Sequence, residues 1–372
     1  MQRRIVVSLG IMVGIFVIII LLMGCDKENL ELKEGYIGVI EAADDCKYSG
    51  LSWYDGELNY KGSKKVHIPN MTSTVNKTIK KNGKLYLISN DVNKTSTKSN
   101  VIIIDLKSDK RYFIYNSHRY INDMAVDEDL YTISCEYLGI NVSFIDKIGD
   151  KNRKMATLKI EDVVLSKIYA YEGMLYVTGF GYDAQDRLFS KMYIVDANSM
   201  RIVKSLDMSE RVVDVTDMYA CEGYIYIGGR TKANRNGEEV ENKELVRMKL
   251  DTYKLEDIYV GDVVGQFIES VQAGGRKYIV FSNYDAVFDS GDMVYSLDIE
   301  SNEVRKQQVA DKVRDAIVDK GYMYVMGEKY LCKYDFRNEK EFFMKLTKPI
   351  NRVKMNKIFK NMYSVYTCFL RN

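Results

Sequence analysis

The sequence predicts an all-β chain, a β-propeller of seven four-stranded blades, and three observations carry that prediction. A turn residue followed by an apolar-Tyr-apolar strand recurs at Tyr86, Tyr131, Tyr176, Tyr226, Tyr278, Tyr324 and Tyr363, with spacings of 45, 45, 50, 52, 46 and 39 residues. Strand-like units repeating every ~40–50 residues are the mark of propeller blades. After each of the first six comes an apolar strand ending in Asp: Asp105, Asp146, Asp196, Asp251, Asp298 and Asp335. A carboxylate there bonds backbone N–H groups two residues on, so these aspartates are expected to shape corners rather than bind ligands. Finally, 29 Tyr with abundant Ile and Val favour strands, and only 2 Pro interrupt them. No Pro/Gly/Ser-rich linker follows residue 36, so residues 36–372 read as one domain.

Each unit reads as strands A to D. Strand A is a short apolar stretch such as Ile121–Val126, B carries the Tyr, C ends at the Asp, and D leads to the next unit. Consecutive hairpins make an antiparallel blade whose two faces are both covered by neighbours. Strands B and C are therefore apolar on adjacent positions rather than strictly alternating. The last unit, Asn351–Leu370, supplies an A and a B strand only. LSWYD, residues 51–55, looks like the missing strand C, ending in Asp55, and ELNYKGSKKV like its D. Residues 51–66 are then expected to pair with 361–370 in one shared blade, closing the ring without an open edge. Tyr36–Glu41 is a spare strand, which leaves eight blades as the alternative.

The N-terminus carries an address. Arg3 and Arg4 precede an almost wholly apolar Ile5–Met23, and Leu22-Met23-Gly24-Cys25 is followed at once by polar DKENLELKEG. This has the three parts of a secretory signal and resembles the lipobox of bacterial lipoproteins. The resemblance implies removal of residues 1–24, a lipid on Cys25, and a polar tether over 25–35. The two chains of a diacylglycerol suffice for stable anchoring. The alternative is an uncleaved membrane helix, since about 20 apolar residues span a bilayer. Either way residues 35–372 are expected on the outer side of a cytoplasmic membrane.

Removing the first 24 residues leaves 348, with 52 basic and 52 acidic side chains and a formal net charge of zero. That balance argues against a nucleic-acid partner and against a polybasic grip on the membrane. Five cysteines remain beside Cys25: Cys46, Cys135, Cys221, Cys332 and Cys368. They form no Cys-x-x-Cys pair and read mainly as small buried hydrophobes; a Cys46–Cys368 disulfide is the one pairing the ring closure suggests.

Residues 36–372 are similar in pattern to tryptophan–aspartate and tyrosine–valine–threonine–asparagine repeat propellers, and to lipoprotein propellers such as the outer-membrane assembly lipoprotein. Trp53 is the single Trp, so blade tryptophans are missing, and Gly-Gly doublets occur only at Gly228-Gly229 and Gly274-Gly275. No functional residue is carried over from those families.

Catalytic and metal chemistry leave little trace. His67 and His118 are the only histidines, and a catalytic triad or a His-rich metal site would need them. Asp285, Asp289 and Asp292 share the loop NYDAVFDSGD without EF-hand spacing. Asp183, Asp186 and Arg187 in GYDAQDR are candidate polar-ligand or solubilising residues. The expectation is no catalytic residue, metal or cofactor, and a non-catalytic binding scaffold for a protein or glycan. The alternative is a glycan-acting enzyme with paired carboxylates in the propeller funnel.

The distance from strand-B Tyr to strand-C Asp varies, at 19, 15, 20, 25, 20 and 11 residues, while the turns after the Asp stay short. Length variation thus gathers on one face, in loops around 90–100, 180–190, 229–244 and 283–291. Such a face often binds. Tyr and Arg dominate binding hot spots, which singles out Tyr182, Arg187, Arg230 and Tyr284.

Overall fold

Tight hairpins set the architecture. In Asn82-Gly83, Glu172-Gly173, Glu222-Gly223, Gly274-Gly275 and Lys320-Gly321 both residues have positive φ. That is the requirement of the two-residue turn whose twist matches paired strands, and glycine supplies the second position without strain. These dipeptides are the turn residues that open the tyrosine repeat. Each joins strand A of a blade to strand B.

The computed structural model describes residues 37–43, 49–66, 78–91, 98–105, 111–117, 120–137, 141–149, 153–336, 344–351 and 364–371. Cys25 and the rest of 1–36, Cys46, His67, His118 and Tyr363 lie outside them, as does the proposed Cys46–Cys368 disulfide.

Seven four-stranded antiparallel sheets form the blades. Blade 1 is β4 (Ile79–Lys81), β5 (Lys84–Asp91), β6 (Lys98–Asp105) and β7 (Arg111–Ser117). Blade 2 is β8 (Tyr120–Val126), β9 (Leu130–Tyr137), β10 (Asn141–Ile148) and β11 (Lys154–Glu161). Blade 3 is β12 (Val164–Tyr171), β13 (Met174–Tyr182), β14 (Leu188–Asp196) and β15 (Arg201–Asp207). Blade 4 is β16 (Val215–Cys221), β17 (Tyr224–Gly229), β20 (Glu244–Lys249) and β21 (Leu255–Tyr259). A small hairpin, β18 (Thr231–Ala233) and β19 (Glu239–Glu241), interrupts it. Blade 5 is β22 (Gln266–Ala273), β23 (Arg276–Ser282), β24 (Met293–Asp298) and β25 (Val304–Gln308). Blade 6 is β26 (Asp315–Asp319), β27 (Tyr322–Met326), β28 (Tyr330–Asp335) and β29 (Lys345–Asn351).

Blade 7 joins the chain ends, in a way that corrects the sequence reading. Its order is β3-β2-β1-β30, with β1 (Ile37–Ala43), β2 (Ser49–Tyr54), β3 (Tyr60–Val66) and β30 (Ser364–Arg371). The C-terminal segment contributes strand A alone, and β1 is strand B rather than a spare eighth-blade strand. Residues 364–371 therefore pair with β1, Ile40 opposite Cys368, and reach 51–66 only through it. The reason lies in IGVIEAA: Ile37, Val39 and Ile40 are all buried, as befits a strand flanked on both sides. Ile37 faces both Tyr54 and Arg371, so β1 begins and β30 ends beside the short Asp55 turn.

Burial follows the two-faced pattern. Leu175 and Val177 of β13 pack with blade 2 residues such as Ile133 and Ile145. Tyr176 between them packs with blade 4 residues such as Met218 and Ile227. The repeated Tyr86, Tyr131, Tyr176, Tyr226, Tyr278 and Tyr324 are all buried, as are the free Cys135, Cys221 and Cys332. Burial raises the Cys332 thiol to about 11.

The corner aspartates behave as expected at three turns. Asp55 Oδ1 accepts from the N–H groups of Glu57 and Asn59, Asp196 Oδ1 from Asn198 and Ser199, and Asp298 Oδ1 from Glu300 and Ser301. Asp146 differs. It lies inside β10, fully buried, where it accepts from Thr157 Oγ1 at 2.5 Å. Asp251 also misses its corner, falling two residues beyond the end of β20.

Strand A of each blade pairs on one side only, with strand B, leaving an edge along the ring's inner wall. Side chains of the preceding blade satisfy it. Ile168 N–H donates to Asp123 Oδ2 at 3.1 Å and Phe267 N–H to Asp217 Oδ2 at 2.9 Å. Ala220 N–H donates to the Tyr169 hydroxyl at 3.3 Å and Ser270 N–H to that of Tyr219 at 2.9 Å. Bulges at Asn122, Ser166, Thr216 and Ile268 recur at one level of four successive A strands, where they re-aim the following side chain.

Candidate functional site

The long-loop face is formed where strand B turns into C and strand D crosses to the next A. Part of its predicted length proves to be strand: β5 runs to Asp91, and β13 to Tyr182. The blade 3 loop is therefore only residues 183–187. Asp183 Oδ1 accepts from Gln185 and Arg187 N–H, and Arg187 Nε donates to Asp183 Oδ2 at 2.8 Å. These bonds to Arg187 hold the Asp183 carboxyl below its ordinary range. Arg187 is thus turned back onto its own loop, while Tyr182 stands 62 % exposed.

Blade 4's long insertion folds as the β18–β19 hairpin, which the sequence reading took for a plain loop. Val213 N–H donates to Thr231 O and Ala233 N–H to Ser209 O, both at 2.8 Å. Ala233 joins Leu188 and Val213 in a small buried cluster. Gly237, at φ +79, passes so close to Arg187 that an added Cβ would lie 2.6 Å from the Arg187 Cβ. The hairpin is thereby seated on blade 3.

Arg230 leaves the end of strand B in the same blade. Its guanidinium is paired with Asp214 and lies 3.8 Å from Asp285 of the blade 5 loop. It also stacks 5.3 Å from the centroid of the Phe288 ring. The blade 5 loop closes on itself through Asp285 N–H to Ser290 O at 2.7 Å, with the reciprocal bond at 3.2 Å. Asp285 Oδ1 further accepts from Val287 and Phe288 N–H.

Beneath this loop Tyr284 is buried, and its hydroxyl donates to Asp289 Oδ1 at 2.9 Å. Asp289 also receives Lys312 Nζ at 2.9 Å and Arg314 Nη2 at 2.7 Å from the next connection. Burial alone would raise the Asp289 carboxyl, but Arg314, Lys312 and Tyr284 outweigh it and hold the group far below its ordinary range. Burial and the bond to Asp289 push the Tyr284 phenol up. Lys312 continues the chain of charges to Glu328 at 2.9 Å.

The four residues singled out from sequence are thus all on one face, but not in one role. Arg230 and Tyr284 support the blade 5 loop, Arg187 braces the blade 3 loop, and Tyr182 is open. Two further exposed apolar side chains on this face were not singled out from sequence: Val287, 62 % exposed like Tyr182, and Phe288, 71 % exposed. Their signal was an adjacent apolar pair inside the polar run NYDAVFDSGD. Asp285 of that run is spent on the loop's own backbone, and Asp289 on Tyr284, Lys312 and Arg314. Among the described residues no group of three or more His, Cys, Asp or Glu is placed to hold a metal ion.

On the inner wall, Asp123, Lys167 and Asp217 form a second polar group. Burial raises the Asp123 carboxyl, opposed by the charge of Lys167 and reinforced by that of Asp217.

No family model matches the chain, and no curated protein matches it in sequence. Solved structures do match its fold. A Bacteroides uniformis protein proposed to be a 6-phosphogluconolactonase aligns with a TM-score of 0.60 at 9 % identity, over 91 % of this chain and 100 % of that one. A Bacteroides fragilis protein of the same proposed activity gives 0.54 at 9 % identity, over 91 % and 99 %. Kuenenia stuttgartiensis hydrazine synthase gives 0.52 at 10 % identity, over 77 % and 91 %. Likeness at that identity establishes the propeller fold and nothing of the chemistry.

Proposed function

We propose that this chain is a non-catalytic binding scaffold of the cell envelope, anchored through a lipid on Cys25 to the outer side of the cytoplasmic membrane, with its long-loop face as the binding surface. One observation carries the reading. Val287 and Phe288 are held open to solvent on a loop whose shape is set by its own backbone bonds, by Tyr284 and by three cationic side chains, Arg230, Lys312 and Arg314. Apolar groups on a pre-shaped support bind with little further loss of conformational freedom.

A glycan-acting enzyme is the second reading, and Asp123 is the observation in its favour, because a buried carboxyl with raised proton affinity suits a general acid. Against it, Asp123 is occupied by the Ile168 N–H, a bond that a purely structural role explains.

Crosslinking and pull-down of the lipidated protein from its own membranes tests the scaffold reading. Capture should fall in Tyr182→Ala and Phe288→Ala and persist in Lys254→Ala, whose exposed side chain lies on the opposite face. Capture lost only in Lys254→Ala would overturn it. Glycan cleavage abolished by Asp123→Asn would establish the enzyme instead.

A further inference from the structure

We propose that the Phe288 loop receives a cationic segment of a protein partner, with one Lys or Arg packed on the open face of the Phe288 ring. This rests on the scaffold reading and adds the chemistry of what is bound. The guanidinium of Arg230 already lies along the ring at 5.3 Å from its centroid, yet Phe288 remains 71 % exposed. A second cation could therefore approach the same aromatic ring from solvent, an interaction aromatic faces favour.

The surroundings supply the matching charge. The segments bordering the loop, residues 208–214, 230–243, 260–265, 283–292, 309–315 and 327–329, hold twelve Asp or Glu against eight Lys or Arg. Twelve acids less eight bases leave a formal charge of −4 in a chain whose predicted mature form is neutral. Three cations nearest the loop are committed: Arg230 to Asp214 and Asp285, Arg314 to Asp289, and Lys312 to Asp289 and Glu328. The net sign is therefore negative, and Glu328, paired with Lys312, and Asp214, paired with Arg230, still keep 45 % and 34 % of their side chains exposed.

Shape selects a polypeptide over a simple cation. Val287 beside Phe288 offers an apolar surface that the aliphatic stem of Lys or Arg, or a neighbouring apolar residue, would cover. The loop itself is fixed by the paired Asp285–Ser290 backbone and by Asp289 in the left-handed region at φ +46. Binding would not have to order it.

The test uses the full-length protein in detergent and fluorescence anisotropy with labelled octa-arginine, octa-glutamate and chitotetraose, and vesicle flotation with phosphatidylglycerol. Octa-arginine should bind, more weakly as salt rises. Phe288→Ala should weaken it roughly tenfold, and Asp214→Asn with Glu328→Gln should flatten the salt dependence. Val203→Ala, an exposed apolar residue on the outer edge strand β15, should bind as wild type; the melting temperature of each variant reports that it is folded. Failure of octa-arginine to bind, equal binding by Phe288→Ala, or Phe288-dependent binding of chitotetraose or vesicles instead would each overturn the proposal. A partner captured on this face by some other chemistry would leave the scaffold reading standing and remove this inference alone.

Discussion

Lys333 Nζ donates to Glu57 Oε1 at 2.6 Å, joining residues 276 apart in sequence across the seam between blades 6 and 7. The ammonium also sits 3.8 Å from the centroid of the Tyr322 ring, and its side chain is only 3 % exposed. Lys333 lies directly across from Tyr324 in the blade, as Lys147 does from Tyr131 and Arg247 from Tyr226. All three cations reach the next blade: Lys147 donates to Ala197 O, and Arg247 to Asn302 Oδ1. A buried cation over an aromatic ring thus recurs as a staple between blades.

Lys333→Met keeps the stem but removes the charge, and should lower stability by about 1–3 kcal/mol. Glu57→Gln should cost less than about 1 kcal/mol, because its carboxylate is 70 % exposed and screened. Urea unfolding measures both; equal losses, or a larger loss for Glu57→Gln, would contradict the staple.

Deleting residues 364–372 removes strand A of blade 7 and bares the β1 edge that carries Val39 and Ile40. The unfolding midpoint should fall by the equivalent of more than about 3 kcal/mol, with a broader transition. A deletion variant that melts like the intact chain would mean that β30 does not close the ring.

Asp123 carries a pH signature. Burial outweighs the opposing charge of Lys167, is reinforced by that of Asp217, and raises its carboxyl above the ordinary 3.8 in the folded state. The folded protein then binds the proton more tightly than the unfolded chain, so this group costs stability as pH rises above 3.8 and costs none below it. Asp123→Asn removes that cost. The stability of the variant relative to wild type should therefore shift in its favour between acid and neutral pH. A difference that stays flat across this range, or slopes the other way, would show that Asp123 is not proton-linked to folding.

Cys25→Ala should abolish incorporation of a fatty-acid probe and leave residues 1–24 attached. Gel migration and mass spectrometry of the N-terminus read both effects, and equal labelling of the variant would refute lipidation at Cys25.

The blades were legible because the Tyr repeat and its glycine turns are local. Glu172-Gly173 and Tyr176, for example, fix a hairpin within a few residues. That the two chain ends share the closing blade was legible too; what was misread was β1, taken for a spare strand, because nothing near IGVIEAA says that Ser364–Arg371 will lie beside it. Asp146 escaped for a different reason. Its strand continues two residues past it to Ile148, so the same Asp letter serves a buried bond to Thr157 rather than a corner. At the binding face, loop length was visible, but which side chains stay open was not. Tyr284 is consumed by Asp289, and Phe288 is left outside, because of Arg314 and Lys312 some 25 and 23 residues further on.

The first and last described strands finish side by side at Ile37 and Arg371, next to the Asp55 turn. A fluorescent protein or affinity tag fused after residue 372 would therefore emerge beside the point where the chain enters β1 at Ile37. Reporter insertions within residues 183–187 would instead project from the far mouth of the ring, away from Ile37 and Arg371.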